Sequence, residues 1–317
     1  MLTIPESYDR YLEYLPLFGI AVLVSFLLTP IAGWIARKLK IIAYPPSMRT
    51  GGKQSDFRHL EKPPTPLLGG LAVIIPFIAL TLMNTNPSPE LSALLIAISI
   101  LFLMGIVDDT HELSGRTQLI VQVAAALFLC ASAIDLRLVS NPFGGSIQLD
   151  QLTYEGTIGS FIYSIVLPGD LFLFAWIIIC TIAVKFSGGT DGLMEGNSLI
   201  AAIIFFLLSV RFLNPMTATV SIVFAGLILG FLFFNFYPAK IRSGSSGKST
   251  YGFILAVLSL LSGAKFATAI LILLLPIVDF FVVIIRRYIK HKPHNPLQLL
   301  SISDRTHLHH QLLELGL

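Results

Sequence analysis

The chain of 317 residues is 55% hydrophobic and 12% charged, with a mean hydropathy of +0.81, which is more apolar surface than one globular core can hide beneath a polar skin. A net charge of +3 is too slight to imply a nucleic-acid partner, and Cys130 and Cys180, each inside an apolar run, carry no redox message. What remains is a polytopic membrane protein with helical spans, because a segment in lipid must satisfy its own backbone and these runs are too long for barrel strands.

Apolar runs predict about nine helices, near residues 16–36, 67–84, 90–107, 118–136, 158–184 (with a break allowed at Pro168-Gly169), 197–212, 215–236, 251–264 and 267–289. The first is a retained span rather than a leader, since Arg10 is followed by Glu13 and no small-residue cleavage site comes after the run. Residues 137–154 alternate in places, as in Ser146-Ile147-Gln148-Leu149, and suit a small external hairpin. With the N-terminus outside, the inward segments hold 17 of the 21 Lys and Arg, and only Arg10, Arg137, Arg211 and Lys265 fall on the opposite face. The positive-inside rule then makes five polar segments cytoplasmic: residues 37–66, the Asp108-Asp109 turn, residues 185–196, residues 237–250 and the His-rich tail. Their shared sidedness makes them candidates for a single active site.

Asp108 and Asp109 stand where a helix meets the cytosol, and paired carboxylates there suit Mg²⁺ or a substrate cation, although for a lone Asp-Asp a solvated helix end is the stronger reading. Lys185-Phe186-Ser187-Gly188-Gly189-Thr190-Asp191-Gly192 is a glycine-rich turn with Asp191, and Glu195 just beyond it, as oxygen donors; alone, the pattern is weak. Ser243-Gly244-Ser245-Ser246-Gly247-Lys248-Ser249 fails as a P-loop because position 242 is Arg, yet Lys248 near a helix N-terminus suits a phosphate. In the tail, His307, His309 and His310 suit a metal, a proton relay or a pyrophosphate, beside Arg305. Asp279 lies inside an apolar run, roughly 10 Å along its helix from Arg286. A carboxylate there implies either function or a hydrogen bond to a neighbouring helix.

In order, these segments resemble the polyprenyl-phosphate N-acetylhexosamine-1-phosphate transferase superfamily, glycosyltransferase family 4. The resemblance is carried by Pro64-Thr65-Pro66-Leu67-Leu68-Gly69-Gly70, Gly105 to Asp109, Asp191-Gly192-Leu193 with Gly196, Pro238-Ala239-Lys240-Ile241 with Gly244 and Gly247, Asp279 with Arg286-Arg287, and the tail from Asp304 to Gly316. The tail is more similar to the N-acetylglucosamine-type branch than to the muramoyl-pentapeptide branch. The resemblance implies an all-α bundle of nine to ten transmembrane helices in the plasma (inner) membrane, forming one domain over residues 1–317. It implies transfer of a sugar-1-phosphate from a UDP-sugar to polyprenyl (undecaprenyl) phosphate with Mg²⁺ or Mn²⁺, releasing UMP, for cell-envelope polysaccharide synthesis. Asp108, Asp109 and Asp191 would then be the catalytic and metal-binding residues. Lys185, Lys248, Arg305, His307, His309 and His310 would bind substrate. A homodimer is an open option. The chain stops just after its histidines, where relatives usually continue into another helix, so a C-terminal truncation is expected.

Departures from the family pattern are equally specific. Gly188 stands where the first Asp of Asp-Gly-x-Asp-Gly is usual, and Ser245 where Gly-Asp-x-Gly-Ser has its Asp. Ala43, Glu61 and Gln118 replace an Asp, a His and a Lys. They raise an alternative: a catalytically impaired paralogue that binds lipid phosphate or partners an active transferase. A transporter using Asp279 as a relay is a third reading, with almost no other intramembrane charge to support it.

Overall fold

A computed structural model of the chain describes residues 6–43, 64–132, 138–140, 146–158, 161–263 and 266–291. The basic residues Arg49, Lys53, Arg58 and Lys62, together with Glu61, Arg137, Lys265, Lys292, Arg305, His307, His309 and His310, lie outside the described residues. The elements, in chain order, are α1 (Glu6–Leu12), α2 (Leu15–Lys38), β1 (Ile42–Ala43), β2 (Thr65–Pro66), α3 (Gly69–Asn84), α4 (Pro89–His111) and α5 (Gly115–Ser132). They continue with β3 (Leu138–Ser140), β4 (Ser146–Gln148), β5 (Leu152–Ile158), β6 (Phe161–Leu167), α6 (Gly169–Ser187), α7 (Leu193–Arg211), α8 (Pro215–Asn235), α9 (Gly244–Leu261), α10 (Phe266–Ile272) and α11 (Leu274–His291).

Among the described residues five helices are long and apolar enough to cross a membrane, α4, α6, α7, α8 and the run Asp9–Lys38, or six if the bent pair α10–α11 is one span. Apolar helices α3 and α5 are shorter. The chain is a multi-pass helical membrane protein.

Three boundaries differ from the sequence expectation. The helix expected from residue 158 begins at Gly169, because residues 161–167 form β6 instead, antiparallel to β5 from Leu152↔Leu167 to Ile158↔Phe161. The β-branched and aromatic run Phe161-Ile162-Tyr163-Ser164-Ile165-Val166 favours a strand, and Pro168 cannot donate to a helix running through it. The segment between α5 and α6 thus holds two hairpins, β3–β4 and β5–β6. The helix expected from 251 starts at Gly244, so the Gly-Ser cluster is its first turn rather than a loop. The last expected helix is broken at Leu273 with a 75° bend between α10 and α11. Pro276 has no N–H for the Ile272 carbonyl, and the helix breaks where that bond is missing.

The bundle is antiparallel, and small residues set its tightest seams. Helix α8 is buried along most of its length and packs chiefly on α7 and α2. Its Gly226 and Gly230, four residues apart, admit the α2 backbone: a Cβ at Gly230 would lie 2.3 Å from the Val22 carbonyl oxygen. At one end of the bundle Asn214 Nδ2 donates to the Leu261 carbonyl at 2.9 Å, and Cys130 approaches the Asp170 carbonyl. At the other end β1 pairs with β2, and the Gly69 and Gly70 N–H groups donate to the Arg242 and Ser243 carbonyls at 2.9 Å each. There α2, α4, α6 and α8 finish while α3, α5, α7 and α9 begin. This is the end on which the described polar loops gather.

Candidate active site

Asp108 and Asp109 occupy the last turn of α4, and consecutive positions on a helix point about 100° apart. They serve different neighbours. Asp108, 9% exposed, accepts through Oδ1 from the Leu113 N–H and from Gln118 Nε2, both at 2.7 Å. Glu112 closes the helix in the left-handed region, with φ of 45°, so the carboxylate ties down the α4–α5 turn. Gln118 also donates to the Leu113 carbonyl at 3.0 Å and accepts from Lys185 Nζ through Oε1. Asp108, Gln118 and Lys185 therefore form one chain of polar contacts from α4 through α5 to the end of α6.

Asp109 reaches across to α9. Its Oδ1 accepts from the Ser245 N–H at 2.6 Å, and its Oδ2 from the Ser246 N–H at 3.2 Å and the Ser246 hydroxyl at 2.8 Å. A carboxylate on the first N–H groups of a helix satisfies donors with no intrahelical partner and sits favourably in the helix dipole. The phosphate position expected at this N-terminus is thus held by a side chain of the protein itself. Glycines make the approach possible: a Cβ at Gly105 would fall 2.3 Å from Ser246 Cα, one at Gly70 2.4 Å from the Gly247 nitrogen, and one at Gly244 2.4 Å from Asp109 Oδ2. Gly244 also has φ of 66°, the left-handed region that favours glycine.

Asp191 pairs with Arg242, Oδ1 to Nη2 at 3.1 Å, and its Oδ2 accepts from the Ala239 N–H at 3.2 Å. Beside it the Asn235 side chain accepts from the Gly192 N–H and donates to the Ile241 carbonyl, both at 2.9 Å. Together they lock the α6–α7 turn to the segment between α8 and α9. Glu195, 3% exposed, accepts from the Ser243 hydroxyl at 2.5 Å. Lys248 lies within the electrostatic reach of both Asp109 and Glu195, and its stem runs over Gly188, where a Cβ would meet Lys248 Cε at 2.9 Å. Arg287, 3% exposed on α11, stacks over the Phe186 ring at 5.7 Å, bringing that helix to the same turn. Asp279 is half-buried one helix segment away.

The structure therefore brings Asp108, Asp109, Asp191, Lys185 and Lys248 to one end of the bundle. It does not bring the three aspartates together: among the described residues no three His, Cys, Asp or Glu side chains converge as metal ligands. Both oxygens of Asp109 and of Asp191 accept hydrogen bonds, and Asp108 Oδ1 accepts two. Among these three aspartates that leaves Asp108 Oδ2 as the oxygen with no hydrogen bond, so a divalent ion here would draw few ligands from the protein and most from phosphate and water. Sequence reasoning passed over Arg242, noted only as the wrong residue for a P-loop, and took Gln118 as a lost lysine. Ser243 and Asn235 carried one signal, a polar residue at the end of an apolar run.

A multi-pass helical bundle with acidic and basic side chains interlocked at one end is the architecture these contacts define. The sequence profile of glycosyl transferase family 4 matches residues 91–263, from α4 through α9, and the chain belongs to that family. It is similar to the Bacillus subtilis (strain 168) protein named "Probable undecaprenyl-phosphate N-acetylglucosaminyl 1-phosphate transferase", 28% identical over 316 residues, 98% of this chain and 80% of the relative. The Mycobacterium leprae (strain TN) decaprenyl-phosphate N-acetylglucosaminephosphotransferase is 27% identical over 342 residues, covering 96% of this chain and 78% of the relative. The Staphylococcus carnosus (strain TM300) phospho-N-acetylmuramoyl-pentapeptide-transferase is 27% identical over 258 residues, covering 78% of this chain and 75% of the relative.

Proposed function

We propose that the chain transfers a sugar-1-phosphate, an N-acetylhexosamine-1-phosphate, from a UDP-sugar to polyprenyl phosphate in the plasma membrane, with the polar end cytoplasmic. The product, a lipid-diphospho-sugar, would feed cell-envelope polysaccharide synthesis. Counting α3, α5 and α9 as crossings beside the five long helices and the bent pair gives the nine spans expected from the sequence. The observation that carries the reading is the convergence of Asp108, Lys185 and Lys248 at one bundle end, within a chain whose relatives are named for polyprenyl-phosphate transfer.

In the reaction, an oxygen of the lipid phosphate bonds to the sugar-bearing phosphorus as the bond to the bridging oxygen breaks, and that electron pair leaves on UMP. Little covalent help is needed; the site must position phosphates and counter their charge. Asp108, oriented by Leu113 and Gln118, is the carboxylate set to face the incoming lipid phosphate. Lys185 and Lys248 supply the cations for the diphosphate. Asp109 and the Asp191–Arg242 pair hold the loops that carry them, which makes those residues positioning groups. Full-length protein in detergent or vesicles, given undecaprenyl phosphate and a panel of UDP-sugars, should release UMP with at least one of them. No release with any sugar, under conditions where the Bacillus subtilis relative turns over, would sink the reading.

A specific observation favours a second reading. Two of the three positions where the family pattern has an Asp that this chain lacks, Gly188 and Ser245, lie beside Lys248 or Asp109, so an impaired paralogue that binds lipid phosphate is the alternative. Restoring Asp at both positions separates the two: UMP release appearing only in that variant supports impairment, and an already active parent refutes it.

A further inference from the structure

We propose that Lys248 is the built-in cation of this site, its ammonium standing beside the donor's diphosphate where a divalent metal would otherwise stand, so that neither binding nor transfer requires one. The proposal rests on the reading of the site as a sugar-1-phosphate transferase.

Four observations carry it. First, the lysine stem lies directly over Gly188: a Cβ there would be 2.9 Å from Lys248 Cε and 3.1 Å from Cδ, so a side chain at 188 would push the stem aside from its present path. Second, Lys248 sits in the field of two buried acids from different helices, Asp109 on α4 and Glu195 on α7. Their field draws the ammonium toward this turn, where a phosphate would meet a compact point charge. Third, three of the acids that could ligate an ion already accept hydrogen bonds, which leaves Asp108 Oδ2 as the protein oxygen least engaged. Asp109 caps α9 with both oxygens, Asp191 holds Arg242 and Ala239, and Glu195 accepts from Ser243. Fourth, Lys185 lies one turn before Gly188 and is hydrogen-bonded to Gln118, so two lysines, from α6 and α9, converge on the end of α6. An ammonium is a compact point charge with three donors and needs no coordination shell, which suits a crowded site where oxygens are already spoken for.

Charge balance points the same way. Two carboxylates with one divalent ion sum to zero, whereas Gly188, Ser245 and Lys248 sum to +1. The diphosphate therefore meets a field at least as positive with no ion present, and the leaving UMP phosphate has a cation at hand as the bond to it breaks.

The test uses the full-length protein in detergent. Mn²⁺ titrated without nucleotide and followed by electron paramagnetic resonance should stay free with the parent, and one equivalent should bind to the triple variant G188D/S245D/K248S. Stoichiometric binding by the parent overturns the proposal. UDP, titrated calorimetrically in excess chelator, should bind the parent and bind Lys248→Met about tenfold more weakly, the scale of one charge-assisted hydrogen bond. No binding in chelator, or equal binding by the variant, overturns it. UMP release by the parent should change less than about twofold between chelator and Mg²⁺ and fall about 100-fold in Lys248→Met; release abolished by chelator overturns it. A parent that releases no UMP under either condition sinks the transferase reading instead, and the Mn²⁺ and UDP titrations still decide the role of Lys248. If the triple variant does not fold, the parent titrations suffice.

Discussion

The two ends of the bundle begin their helices in different ways. At the end away from the site, α4 and α8 are capped by the residue just before them: Ser88 accepts from the Leu91 N–H at 3.2 Å, Asn214 from the Thr217 N–H at 3.1 Å, and each helix opens on a proline. At the site end, α9 has no cap from its own N-cap residue. Ser243 spends its hydroxyl on Glu195, and the first N–H groups of α9 are satisfied by Asp109, 136 residues earlier in the chain. The caps of α4 and α8 are local parts, so they affect stability alone. The opening of α9 is borrowed from α4 and α7, although α5 at the same end keeps a local cap in Ser114, so at α9 stability and chemistry are coupled.

That contrast can be broken or sharpened by five substitutions. Asp109→Ala should be the most damaging, costing about 3 kcal/mol because three donors lose a charged acceptor in a buried place, with loss of UMP release; thermal unfolding in detergent checks the first and the transferase assay the second. Gly105→Ala should cost roughly 2 kcal/mol, since its new Cβ would meet the Ser246 backbone and α4 and α9 must separate; unfolding and UMP release should fall together. For Asp191→Asn the loss is about 1–2 kcal/mol, as Arg242 keeps a weaker, neutral partner, and here a rise in KM for the UDP-sugar should exceed the change in Tm. Asn214→Ala should cost about 1 kcal/mol and leave UMP release at the parent level. Ser88→Ala, with the longest of these cap bonds, should cost about 0.5 kcal/mol, also without effect on turnover. If either local cap mattered to turnover as much as Asp191 does, the two ends would not differ in kind.

Much of this was legible in the residues. Length and hydropathy of the apolar runs located α2 to α5, α7 and α8 to within a few residues, since a lipid-facing span must be long, apolar and self-bonded. The break allowed at Pro168 was found there, with a strand rather than a helix before it. The start of α9 was misjudged by seven residues because Gly-Ser-Ser-Gly has poor helix propensity, and burial against α3, α4 and α6 overrides it. Of the site, Asp108, Asp109, Asp191, Lys185 and Lys248 were visible as charges in turns between apolar runs. Arg242 and Gln118 were not, because their partners, Asp191 and Lys185, are 51 and 67 residues away.

By itself the sequence determined the class of protein, the family and the end of the bundle where polar side chains gather, because hydrophobic length and charge bias are properties of segments taken one at a time. Only the tertiary structure decided what each charge does. Two neighbouring aspartates point about 100° apart on one helix, so one orients a turn while the other caps a helix from across the bundle. Whether Lys248 faces solvent or runs its stem over Gly188 within the field of Asp109 and Glu195 depends on how closely the helices approach, and that distance is set by packing, not by the order of residues along the chain.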